Sequence, residues 1–194
     1  MLRKLLLVTF LFPFIIIVFI VATTFLVGKS AYIDDYLIFS IILASTLVIA
    51  FSYKLKLIEF NTFKVNLKEF LIALLASGLL FFIFYLQRVH FGQYTKEPLS
   101  LLSSIMTFVL IPIVEEVFNK KVILDNLDKL KVNKYLVIGL PIFYFAVLHY
   151  PHILLIHFLV GLTTTLIYYK NRNILQVILI HAIYNFSIAL YNLV

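Results

Sequence analysis

Five side chains able to move protons or donate hydrogen bonds stand in apolar surroundings: Glu115 and Glu116 in "IPIVEEVFNKK", His149 in "YFAVLH", and His181 with Asn185 in "ILIHAIYN". An acid or imidazole at the centre of a bilayer costs at least ~2.5 kcal/mol, so such groups default to a functional reading. Together they supply what peptide hydrolysis needs. A carboxylate takes a proton from water, an imidazole holds that water, and imidazole and amide N–H groups stabilise an oxyanion.

Spacing divides the labour. Phe145 and His149, like His181 and Asn185, are four residues apart and share a helix face. Glu115 and Glu116 are separated by about 100° around a helix and cannot aim at one point. Lys120 lies four residues after Glu116 in the favourable acid-first order, which makes Glu116 an anchor and Glu115 the reacting carboxylate. His149 is expected to hold the water that Glu115 activates, and His181 and Asn185 to face the oxyanion. Glu115, His149 and His181 could instead bind zinc and leave a position for water. No His-Glu-x-x-His helix is present, and asparagine is a poor ligand but a good donor, so the metal-free version is favoured. His152 and His157 fall outside the face pattern and His90 is expected at the outer surface, so all three are read as structural.

These residues need elements to hold them. Of 194 residues 63% are hydrophobic and only 13% charged, with a mean hydropathy of +1.09, well outside the composition of a soluble domain. The expected architecture is all-α, a single polytopic transmembrane bundle spanning 1–194. Uncharged runs place about seven spans (six to eight) at Leu5 to Val27, Tyr36 to Tyr53, Phe70 to Gln87, Leu99 to Phe118, Tyr135 to His149, Ile153 to Tyr169 and Ile174 to Val194. The stretch from Tyr135 to Tyr169 would be about 50 Å long as one helix, and Pro151 marks the expected break.

With the N-terminus inside, only Lys29, Arg88 and Lys96 of the 16 basic residues fall outside, which favours that orientation. The net charge of +7 therefore reflects topology rather than nucleic-acid binding, since the basic residues are scattered through short loops. Cysteine is absent, so disulfides, thiol nucleophiles and thiolate ligands are excluded. The basic start and long apolar run at the N-terminus are read as a retained first span. The expected setting is a bacterial plasma membrane, with the lipid bilayer and a peptide or membrane-protein substrate as partners.

The motifs resemble those of the CAAX-processing and bacteriocin-processing intramembrane proteases, the Abi or type II CAAX prenyl endopeptidase family. "EEVFNK" is similar to its paired glutamates followed by arginine, "FAVLH" to its Phe-x-x-x-His, and "HAIYN" to its His-x-x-x-Asn. The resemblance is concentrated in 99–194. It implies that Glu115 and His149 serve the water and that His181 and Asn185 serve the oxyanion. Lys120 departs from the pattern by standing where the family has arginine, which keeps the charge without the bidentate fork. A different reading is a catalytically inert member acting as a bacteriocin-immunity, scaffold or regulatory membrane protein.

Overall fold

The computed structural model describes residues 1–27, 33–59, 64–91, 101–149 and 155–193, all of them helical or in short connections. Among the described residues, seven rods overlap the seven apolar runs. They are α1 (Leu2–Val27), α2 (Ile33–Lys54), α3 (Leu67–Phe91), α4 (101–129), α5 (Lys134–Leu148), α6 (Leu155–Asn171) and α7 (Ile174–Leu193). Within α1, α3 and α7, the segments Leu2–Leu26, Leu67–Gln87 and Ile174–Tyr191 have the length and hydropathy to cross a membrane, and Ile38–Lys54 and Lys134–Val147 are shorter apolar helices. Pro151 and His152 lie outside the described residues.

Large apolar side chains cover much of the bundle's surface, while several polar ones are buried inside it with the apolar core. Phe10, Phe25 and Leu75 are at least 73% exposed, whereas Glu116, Lys120, Thr165 and Gln176 are fully buried. A surface of this kind suits lipid, where polar groups must be satisfied within the protein.

α4 is not a regular helix. It alternates α-helix (Leu101–Ile105), π-helix (Met106–Leu110), α-helix (Ile111–Glu116), π-helix (Val117–Leu124) and a final α-helical turn (Asp125–Lys129). The rod thus runs past Phe118, where the expected span ends. Its second π segment is closed by Asn126, whose Nδ2 donates to the carbonyls of Lys121 and Val122 at 3.2 and 2.8 Å and to Leu57 at 2.7 Å. Wide turns of this type gather at functional sites.

Prolines inside helices are answered by other helices. Pro13 of α1 has no N–H for the Thr9 carbonyl four residues earlier. Tyr144 of α5 donates its hydroxyl to that carbonyl at 3.2 Å. Phe12 stacks on Phe118 at 3.8 Å between centroids and Tyr144 tilts against Phe118 at 5.6 Å, so α1, α4 and α5 share one aromatic core.

α7 is held in register on α3. Ser77 donates to the Ile180 carbonyl at 2.9 Å, and Gln176 donates to the Glu69 carbonyl at 3.0 Å. Glu69 and Asn66 form a reciprocal capping box at the start of α3. Across α4 and the α6–α7 turn, Asp125 accepts from Tyr168 at 2.9 Å and from Arg172 at 3.0 Å.

Candidate active site

The α-helical turn between the two π segments of α4 presents both glutamates to α7. His181 lies between them, with Nδ1 3.0 Å from Glu116 Oε1 and Nε2 3.8 Å from Glu115 Oε2. A carboxylate only accepts, so Nδ1 carries the proton and Nε2 is turned toward Glu115. His181 is 3% exposed.

Glu116 also meets Lys120, whose Nζ is 3.1 Å from Oε2 with both side chains fully buried. Lysine here makes a second bond, donating to Thr165 Oγ1 of α6 at 3.0 Å. A point charge has thereby been fitted with two acceptors in place of a planar fork. Glu115 differs in environment: its Oε2 is buried and has no hydrogen-bond partner among the described residues. Asn119, one turn on, donates to the Glu115 carbonyl at 3.0 Å and is 1% exposed.

His149 caps the end of α5. Its Nδ1 is 2.8 Å from the Phe145 carbonyl, which can only accept, so Nδ1–H donates and Nε2 is left as the acceptor nitrogen of the neutral ring. Phe145 links it to the rest of the site, with its ring 4.6 Å from His149 and 5.6 Å from His181. Gly161 of α6 makes room for that ring, because a Cβ there would sit 3.2 Å from Phe145 Cδ1. Asn185, one turn along α7 from His181, donates Nδ2 to the Thr107 carbonyl at 3.1 Å.

The structure therefore brings Glu115, Glu116, Lys120 and His181 into one chain of contacts, joins His149 to them through Phe145, and seats Asn185 on the first π turn of α4. His157, read from the sequence as structural, stacks on His149 at 4.4 Å between centroids and so lies beside the site. Its sequence signal was the four-residue step to Gly161, which puts it on the face that meets Phe145. Thr165 likewise follows Gly161 by four. Among the described residues no group of three His, Asp or Glu side chains gathers as metal ligands.

Residues 97–187 match the family described as Type II CAAX prenyl endopeptidase Rce1-like. The matched stretch holds every residue of this site. No curated protein and no solved structure matches the chain. The family match and the apolar helices together indicate a membrane endopeptidase of CAAX protease type.

Proposed function

From a chain whose residues 97–187 carry the Rce1-like type II CAAX prenyl endopeptidase sequence, we propose a glutamate-dependent intramembrane endopeptidase that hydrolyses a peptide bond with water. The observation that carries this reading is the buried, unpartnered Glu115 Oε2 facing His181 Nε2 across 3.8 Å. That separation exceeds a hydrogen bond and suits a water or carbonyl oxygen placed near both groups.

Charge balance supports the roles. Glu116 is matched by Lys120, so an ionised Glu115 is balanced when His181 is an imidazolium, and a buried cluster without net charge avoids the largest desolvation penalty. With Nδ1–H held by Glu116, only the imidazolium presents an Nε2–H. Glu115 takes a proton from water, the hydroxide oxygen bonds to the scissile carbonyl carbon, and the oxyanion accepts from His181 Nε2–H and from the second Nδ2–H of Asn185. The carbon–nitrogen bond then breaks and the proton held by Glu115 passes to the departing amine. His149 Nε2 accepts the second hydrogen of the attacking water. No metal takes part in these steps.

In this reading all seven rods span the membrane with the N-terminus inside, in a bacterial plasma membrane, and the substrate is a peptide or membrane protein such as a pheromone or bacteriocin precursor. The inert alternative, a bacteriocin-immunity or scaffold protein, draws support from Lys120 in the arginine position. Purified protein in detergent should cleave a farnesylated peptide ending in a CAAX sequence or an unprenylated apolar peptide, read by mass spectrometry. Absence of cleavage, with full complementation of a deletion strain by Glu115→Gln, would favour the inert reading.

A further inference from the structure

The first π segment of α4 deserts one carbonyl. In a regular helix the Ile111 N–H would close on Thr107, four residues back, but here it donates to the Met106 carbonyl, five back. The next residue is Pro112, which has no N–H to offer. Thr107 is therefore left by both residues that could serve it within the helix, and Asn185 Nδ2 takes the vacated carbonyl at 3.1 Å. Thr9, Pro13 and Tyr144 repeat the arrangement elsewhere in the chain, where a proline releases a carbonyl and a side chain from another helix occupies it.

We propose that Pro112 is a positioning residue of the active site, releasing the Thr107 carbonyl so that Asn185 is locked with one Nδ2–H on α4 and the other turned to the oxyanion. This rests on the protease reading above. An amide plane fixed by one bond presents its second N–H in a defined direction, and a donor misplaced by about 1 Å can cost ~10²-fold in rate. A residue with an N–H at position 112 competes for Thr107 and lets the Asn185 amide rotate. Pro112 touches no reacting atom and acts through Asn185 alone.

The test uses the full chain and the CAAX peptide assay, with Pro112→Ala, Pro112→Ser, Asn185→Ala and the double variants. Each position-112 substitution should lower kcat between about tenfold and 10²-fold, with KM within about twofold and thermal stability in detergent unchanged or raised, because a helical hydrogen bond has been gained. In the Asn185→Ala background the same substitutions should cause no further loss. Unchanged kcat, an equal loss in both backgrounds, or failure of both single variants to fold would overturn the proposal. A wild-type chain that folds yet cleaves neither peptide would instead count against the protease reading.

Discussion

His181 donates Nδ1–H to Glu116 at 3.0 Å, and that same carboxylate meets Lys120 at 3.1 Å. Glu116 is thus the hinge between a buried cation and the imidazole that faces Glu115. In the protease reading its charge positions His181, and the proton of water goes to Glu115.

Neutralising Glu116 leaves Lys120 buried without a counter-charge. Glu116→Gln should destabilise the fold by about 3–5 kcal/mol, the range for breaking a buried ion pair. Thermal unfolding in detergent measures this. Combining it with Lys120→Met should recover much of the stability, while activity stays low because the imidazolium loses its partner.

Thr165 is expected to matter because lysine has replaced arginine. Thr165→Val removes the acceptor 3.0 Å from Lys120 Nζ in a fully buried site, at a cost of about 1–3 kcal/mol. Thr165→Ser should restore stability, and equal melting temperatures for all three proteins would refute the role.

Gly161→Ala places a methyl 3.2 Å from Phe145 Cδ1. Phe145 is 1% exposed and lies between His149 and His181, so its ring cannot yield without moving them. Overpacking of this kind typically costs 1–3 kcal/mol. The expected outcome is a kcat reduced by roughly tenfold, with Gly161→Val worse.

Away from the site, Glu59 and Lys129 form an exposed ion pair at 2.8 Å. The hydrogen bond and charge of Lys129 hold the Glu59 carboxyl below its ordinary range. A depressed folded value means that any contribution of the pair is present above the unfolded pKa and lost as pH falls through the folded one. Side-chain NMR titration should give Glu59 a midpoint below the usual value of about 4.3, returning toward it in Lys129→Ala.

Two of the three motifs keep their four-residue pairing in the folded chain: Glu116 meets Lys120 and Phe145 meets His149. The seven rods were readable from uncharged runs. What spacing could not show were contacts made through backbone that departs from the α-helix. The Thr107 carbonyl is available to Asn185 only because α4 widens into a π turn before Pro112, and a 3.6-residue period hides that turn. The place of His157 beside the site was not legible because the ring it stacks on, His149, lies on a different helix.

The most direct test is the turnover of purified Glu115→Gln against wild type on a peptide that the wild type cleaves. Glutamine keeps the size and removes the base, so kcat should fall by about 10²- to 10⁴-fold with the fold intact. A Glu115→Gln protein that cleaves at the wild-type rate would contradict Glu115 as the carboxylate that activates water.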